Sequence, residues 1–366
     1  MDRDRKGRLP WAIVLLITAI ACAVAWLGAL IVTNAANRSS FANTELKQLN
    51  SLVAAEAVSD GLVYYDGNAV TKLGADAGQR WSCLTGTGVR FNATDAGVAT
   101  WIDRKLTLID GDTGVTSYTG NMDDTVLSAR MGEVYTAVVT GPEHDSTIVL
   151  MENGGRKVDS ITLSDQTVVD YGFFYNGTLF WVMTLDTQGT VPNCTIATYR
   201  PGRRIVGSIT DAEQVLYRVM FQSTQIVCAG DTYLKVYDYN GKETEERRKL
   251  TYGWFLADAD DEANNPMIAF VPSGQYDGST PMQDVRMIQG DNDQIVRMPF
   301  VCSSLVADAS RVYGFSSDGY VMVAEMGRQH VNAYQLSMQF DTVYGVADGN
   351  VAILGQGNML YFVSLE

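Results

Sequence analysis

Eight short apolar runs recur along this chain at a nearly constant interval. They open at Gly61-Leu-Val-Tyr-Tyr, Gly97-Val-Ala-Thr-Trp, Gly132-Glu-Val-Tyr-Thr, Gly177-Thr-Leu-Phe-Trp, Thr224-Gln-Ile-Val-Cys, Asn265-Pro-Met-Ile-Ala, Arg311-Val-Tyr-Gly-Phe and Gly349-Asn-Val-Ala-Ile. Successive separations are 36, 35, 45, 47, 41, 46 and 38 residues. Beyond Asn50 no stretch keeps a 3.6-residue period; short alternating or apolar runs are broken by Gly, Asn and Asp, which reads as strand after strand. A period near 40 residues with about four short strands per unit is the arithmetic of β-propeller blades.

One unit shows the plan. Gly88-Val-Arg-Phe-Asn-Ala-Thr and Gly97-Val-Ala-Thr-Trp-Ile-Asp are two strands, and Lys105-Leu-Thr-Leu-Ile-Asp leads through Gly111-Asp-Thr-Gly114 to Val115-Thr-Ser-Tyr-Thr. Each unit has an apolar face that only its neighbours can cover, so the array must close on itself. The final unit contains three strands, at Thr342-Val-Tyr-Gly-Val, Val351-Ala-Ile-Leu and Met359-Leu-Tyr-Phe-Val-Ser-Leu. The segment Thr44-Glu-Leu-Lys-Gln-Leu-Asn50 is the expected fourth, joining the two ends of the chain in one sheet. The expectation is an all-β propeller of eight four-stranded blades over residues 44–366, or seven if one unit has been split.

Ahead of the repeats, Trp11 to Thr33 carry no charged side chain. A helix of this length spans roughly 35 Å, enough for a hydrocarbon core of about 30 Å. The run is longer than the apolar part of a cleaved signal peptide, about 7–15 residues. It also continues past Cys22, against a lipoprotein reading of Ala19-Ile20-Ala21-Cys22. Arg3, Arg5, Lys6 and Arg8 precede it and only Arg38 follows closely. Basic flanks stay cytoplasmic, so residues 1–10 are expected inside, 11–33 across the membrane, 34–43 as a stalk, and the propeller outside. Trp11 and Trp26 are candidate depth markers, although Trp26 lies well within the run.

Asp76-Ala-Gly-Gln-Arg-Trp81 resembles the Asp-x-x-Gly-x-x-x-Trp turn of quinoprotein-type propellers, shortened by one residue on each side of the glycine. Leu108-Ile-Asp-Gly-Asp-Thr-Gly114, followed by Tyr118, resembles a second copy with tyrosine in place of tryptophan. The opening Gly61-Leu-Val-Tyr-Tyr-Asp-Gly-Asn, the single N-terminal helix and the length are also similar to a family of membrane-anchored propeller proteins of unknown function from Gram-positive bacteria. The resemblance implies the fold and, for quinoprotein enzymes, a quinone held on the axis beside calcium, with an adjacent cysteine pair and a tryptophan floor. No Cys-Cys pair exists in this chain, so no catalytic residue carries over and no cofactor is expected.

Charge and composition narrow the function further. The net charge is −15 with 27 basic and 42 acidic residues, which excludes a nucleic-acid binder needing a basic face. Two histidines disfavour a His-rich metal enzyme. Cys83, Cys194, Cys228 and Cys302 have no CxxC spacing and read as small buried hydrophobes; Cys194 with Cys228 is the one pair worth checking. His144 stands in Gly-Pro-Glu-His-Asp-Ser, and adjacency in sequence does not make a triad. That segment and His330 read as solvated loop and outer strand. Asp258, Asp260 and Asp261, in Asp258-Ala-Asp-Asp-Glu-Ala-Asn-Asn265, offer the oxygen ligands calcium prefers but lack a known calcium-loop spacing. Lys242-Glu-Thr-Glu-Glu-Arg-Arg-Lys249 reads as an exposed outer hairpin whose charge blocks edge pairing. The expected function is a membrane-anchored, extracytoplasmic, non-catalytic module that binds an envelope protein or cell-wall component, with a quinoprotein-like dehydrogenase or other extracytoplasmic enzyme as the alternative.

Overall fold

All eight of the recurrent runs become the second strand of a four-stranded antiparallel sheet in the computed structural model. The structure describes residues 44–190, 192–203, 205–260, 264–276 and 282–365. The sheets are blades 1 to 7, over 54–84, 90–121, 126–162, 167–211, 216–250, 254–302 and 304–335, and blade 8, over 342–364. There are eight blades, not seven. Blade 8 is completed by Thr44–Gln48, which pairs antiparallel with Met359–Ser364 from Thr44 opposite Val363 to Gln48 opposite Met359. The expected segment 44–50 is therefore a strand for its first five residues, after which the Leu49 N–H donates to the Asn358 carbonyl at 2.9 Å. The expected helix over 11–33, with Trp11, Trp26, Arg3, Arg5, Lys6 and Arg8, lies outside the described residues. Among the described residues no helix is long and apolar enough to cross a membrane.

Burial explains the strand sequences. Gly97–Ile102 is buried at its first five positions, because a second strand is covered by neighbouring blades on both sides and reads as a continuous apolar run. The outer strand Thr116–Asn121 has no buried position and is polar. Apolar clusters bridge consecutive blades: Ala99, Leu106 and Leu108 of blade 2 pack with Met131, Val138 and Val149 of blade 3. The seam between the chain ends is packed alike, with Leu62 and Leu73 of blade 1 against Ile353, Leu360 and Phe362 of blade 8.

The outer strand of one blade also latches onto the third turn of the next. Trp81 Nε1 donates to the Gly111 carbonyl at 2.8 Å, and a Cβ on Gly114 (φ +68°) would lie 2.6 Å from the indole. Tyr118 takes the same place one blade later, where a Cβ on Gly155 (φ +92°) would meet its ring at 2.0 Å. Glycine is required at both positions, by contact and by backbone. Between blades 4 and 5 the seam holds a buried ion pair, Lys235 Nζ to Asp211 Oδ2 at 2.9 Å, with Glu213 Oε2 at 2.7 Å. Burial alone favours the neutral forms, but the hydrogen bonds within the cluster outweigh it, lowering Asp211 and raising Lys235. The run 242–249 forms a short 3-10 turn at Glu245–Arg247 and a two-residue outer strand, Lys249–Leu250. Its charges do not only guard an edge: Arg247 Nε lies 3.2 Å from Asp291 Oδ1, and Lys249 Nζ donates to the Asp291 carbonyl at 3.1 Å, both on blade 6.

Strand alternation defines two faces. The upper face carries the links between blades and the turns between second and third strands; the lower face carries the other two turns of each blade. Thr44 lies opposite Val363 at the lower end of blade 8, so the chain joins the propeller on the lower face.

Two measurements check this architecture. Deleting 44–48 exposes an unpaired edge and should lower the melting temperature by more than about 5 °C, on a scale of about 2–4 °C per kcal/mol; an unchanged melt would make the segment a spacer. Trp81→Phe keeps the ring but removes one donor and should cost about 1 kcal/mol in denaturant titration.

Candidate functional site

The inner strands, nearest the axis, carry an unusual set of side chains. Glu56, Asn92, Arg130, Asp170, Arg218 and Asp258 lie on the inner strands of blades 1 to 6, one in each. Several of these strands bulge, with register shifts at Val126/Ser128, Val168/Asp170, Leu216/Arg218, Leu256/Asp258 and Val343/Gly345. A bulge leaves one residue unpaired and re-aims its neighbours. In blades 3 and 4 the residues so released are Leu127 and Val169, and both line the same cavity.

That cavity has a volume of about 520 Å³ and lies toward the upper face, across blades 2, 3 and 4. Phe91, Trp101, Leu127, Val139, Val168, Val169 and Tyr171 form its apolar walls, with Asn92, Ser128, Arg130, Glu143, Ser146 and Asp170 as the polar groups. Its size and mixture suit a small-ligand or side-chain pocket, for which about 300–1,000 Å³ is usual. Arg130 Nη1 lies 3.1 Å from Asp170 Oδ1 and also donates to the Tyr171 carbonyl. The guanidinium stands 5.2 Å from the centre of the Tyr171 ring. Tyr171 OH is 2.8 Å from Ser128 Oγ, and burial pushes the phenol up to about 12. Three polar atoms on lining residues have no hydrogen-bond partner: Asn92 Oδ1, Trp101 Nε1 and Ser146 Oγ. Trp101 is 7% exposed and Ser146 fully buried, so two donors are kept dry beside the cavity. An unmet buried donor costs about 1–3 kcal/mol, a cost that a ligand acceptor would relieve.

Beneath the wall, Glu56 Oε2 accepts the Ala93 N–H at 2.6 Å and Asn92 Nδ2 at 3.2 Å. Burial raises the Glu56 carboxyl above its ordinary value, against the lowering effect of these bonds and of Arg130. The segment Gly-Pro-Glu-His-Asp-Ser is the expected solvated loop, with residues 142–145 exposed, and its Glu143 and Ser146 also line the cavity. The His144 ring does not serve Ser146; its Nδ1 shares a hydrogen bond with Thr167 Oγ1 at 2.8 Å and ties the loop to blade 4.

The calcium candidates stand elsewhere. Asp258 Oδ2 accepts the Ala307 N–H and Asp260 Oδ2 the Ala309 N–H, each at 2.8 Å, joining blade 6 to blade 7. Asp261 lies outside the described residues. Among the described residues no three His, Cys, Asp or Glu side chains gather as a metal ion requires. Cys194 and Cys228 share one apolar cluster on neighbouring blades but are free thiols, as are Cys83 and Cys302. Burial raises the Cys194 and Cys228 thiols and pushes Cys302 up to about 12. With the cysteines on blades 1, 4, 5 and 6 and Trp81 in a blade seam, the residues do not fit a quinone site of the kind the resemblance implies.

No family model matches the chain, and no curated protein matches it. Solved structures do. The C-terminal WD40 domain of Sif2 superimposes with a TM-score of 0.60 at 12% identity, over 88% of this chain and 98% of that one. The WD40 domain of SCAP from fission yeast gives 0.59 at 8%, over 88% and 98%. BamB from Moraxella catarrhalis gives 0.53 at 12%, over 87% and 98%. At these identities the likeness is one of fold: a WD40- and BamB-like propeller, here with eight blades.

The buried carboxyl of Glu56 predicts a pH dependence. Its pKa is raised on folding, so the folded state holds the proton more tightly. Its contribution is complete below the ordinary value of 4.5 and is lost as pH rises through the raised folded-state value. Glu56→Gln should remove this fall, so the variant's melting temperature changes less than the parent's as pH rises from acid toward neutrality. Parallel melting curves would contradict the assignment.

Proposed function

We propose that this propeller is a non-catalytic binding module, tethered outside the cell membrane through residues 11–33, whose partner is an envelope protein or cell-wall component. The cavity across blades 2 to 4 carries the reading: bulged inner strands bring apolar walls, a fixed Arg130–Asp170 pair and two dry donors together toward one face. A closed ring holds its loops rigidly, and such loops commonly carry recognition. The chain joins the ring on the lower face, so a tether there leaves the cavity side free to meet a partner. The apolar run, its basic N-terminal flank and the resemblance to membrane-anchored propellers of Gram-positive bacteria support the location. The solved neighbours, WD40 domains among them, support a scaffold rather than an enzyme.

Photo-crosslinking in native membranes tests the binding face. A crosslinker in place of Val169, which is 40% exposed on the cavity wall, should capture a defined partner. The same group in place of Val115 on the lower face should not. Equal capture from both positions would refute the assignment. Protease added to spheroplasts should digest the propeller, and full protection would reverse the topology. Dehydrogenase activity on adding pyrroloquinoline quinone, calcium and an electron acceptor would favour the enzyme instead.

A further inference from the structure

Blade 4 presents an exposed aromatic, aliphatic and basic patch on the lower face. Its first turn holds Tyr175 and Asn176 at φ +53° each, followed by Gly177 at +68°. The left-handed region is unfavourable for a bulky residue. The tyrosine is not buried in exchange, since it is 77% exposed. The conformation is held from both sides. Thr178 donates to the Tyr175 carbonyl through N–H at 3.3 Å and Oγ1 at 2.7 Å. Phe174, just before it, stacks on Phe221 of blade 5 with ring centroids 4.1 Å apart. Strain of this kind clusters where a side chain is presented for a purpose.

The strand register brings a second turn to the same end of the sheet. Phe174 pairs with Leu179, Phe180 with Tyr199, and Tyr199 with Ile205. In the intervening turn Arg200 and Arg203 are exposed, joined by an Arg203 N–H bond to the Arg200 carbonyl at 2.8 Å. Ile205 and Val206 follow at 54% and 59% exposure. An exposed tyrosine, two exposed aliphatic side chains and two arginines therefore share one lower edge. The other lower-face turns mix the two signs, with carboxylates at Asp60 in blade 1, Asp95 and Asp112 in blade 2, Asp260 in blade 6, and Asp308 and Asp348 in blades 7 and 8, and exposed bases at Arg156 and Lys157 in blade 3, Lys242 in blade 5, and Arg311 and Arg328 in blade 7. Asp159 of blade 3 stands beside this edge, its Oδ2 accepting the Gly202 N–H at 3.1 Å, and the two arginines leave the edge basic on balance in a chain of net charge −15.

We infer that the lower edge of blade 4 is a foot that rests on the anionic headgroup surface of the bilayer; this builds on the reading that residues 11–33 anchor the chain. The tether joins this same face at Thr44, and its ten residues, 34–43, reach at most about 36 Å when extended. The lower face thus stays within reach of the headgroups, and the stalk is long enough for the ring to tilt. Tyrosine favours the headgroup level, the aliphatic side chains enter the acyl boundary, and arginine forks bind lipid phosphate. An anionic surface repels the carboxylate turns of blades 1, 2, 6 and 8 and attracts the bases of blade 4 and of blades 3 and 5 beside it, so the ring docks by blade 4 rather than lying flat.

The test uses the full chain in vesicles of phosphatidylcholine, with and without phosphatidylglycerol, and reads amide hydrogen exchange. Exchange over 172–178 and 199–203 should be about thirtyfold slower with phosphatidylglycerol, a scale set by two surface arginines at about 1 kcal/mol each near an anionic membrane. The lower turn of blade 8, 347–350, should not change. Arg200→Glu with Arg203→Glu should restore the faster rate while leaving the melting temperature unaltered, and Tyr175→Ser should weaken the protection. Equal exchange in both vesicle types, or equal slowing at 347–350, would overturn the foot. A chain that floats with vesicles but gains no protection removes the foot and leaves the anchor standing. A chain that does not float removes both.

Discussion

Contact between neighbouring sheets is the constraint on which everything else here depends. Second and third strands such as Gly97–Ile102 and Lys105–Asp110 bury apolar side chains on both faces, and no blade can cover both by itself. The ring must therefore close, and Thr44–Gln48 closes it by pairing with Met359–Ser364. The outer seams then repeat one geometry with unlike chemistry. An indole bonds the Gly111 carbonyl, the Asp159 carboxylate accepts the Gly202 N–H at 3.1 Å, and the Gln294 amide accepts the Gly327 N–H at 2.9 Å. What each seam needs is a turn close enough to touch, and several side chains can supply the contact.

That tolerance accounts for what was legible in the chain and what was not. The second strands were readable because double-sided burial forces a continuous apolar run, as at Gly97-Val-Ala-Thr-Trp. The closing strand was readable because three strands alone would leave an edge. The Trp81 turn was recognisable, but a motif search follows the tryptophan and loses the seams where aspartate or glutamine does the same task. The cavity was hidden for a different reason. Asn92, Arg130, Asp170 and Glu143 come from three blades, and proximity across blades is invisible to local pattern reading. A signal was nonetheless present: Glu56, Asn92, Arg130 and Asp170 are separated by 36, 38 and 40 residues, the blade period itself. Polar residues recurring at that interval within apolar inner strands mark groups that meet near the axis. The loop of His144 reads as solvated, and residues 142–145 are exposed; what local pattern hides is that Glu143 and Ser146 line a cavity formed with other blades while the ring turns to Thr167.

Cavity and architecture use the same devices. Bulges at Val168/Asp170 and Val126/Ser128 interrupt ladders that otherwise only support the ring, and they release Val169 and Leu127 to the cavity. The Arg130–Asp170 pair joins blade 3 to blade 4 and also forms the charged part of the cavity wall. A residue there holds two blades together and shapes the cavity, so substitutions affect the stability of the ring and the form of the cavity together. The upper and lower faces divide these tasks, with the cavity toward one and the chain junction and tight turns on the other.

The claim that the ring is locked by its two chain ends is tested most directly by site-resolved hydrogen exchange at the seam. If Thr44–Gln48 is an integral strand, its amides facing Met359–Ser364 should be protected to the same degree as those of outer strands in other blades, and all should open together near the global unfolding transition. Exchange of 44–48 at the rate of an unfolded chain, with blades 2 to 7 still protected, would contradict the account.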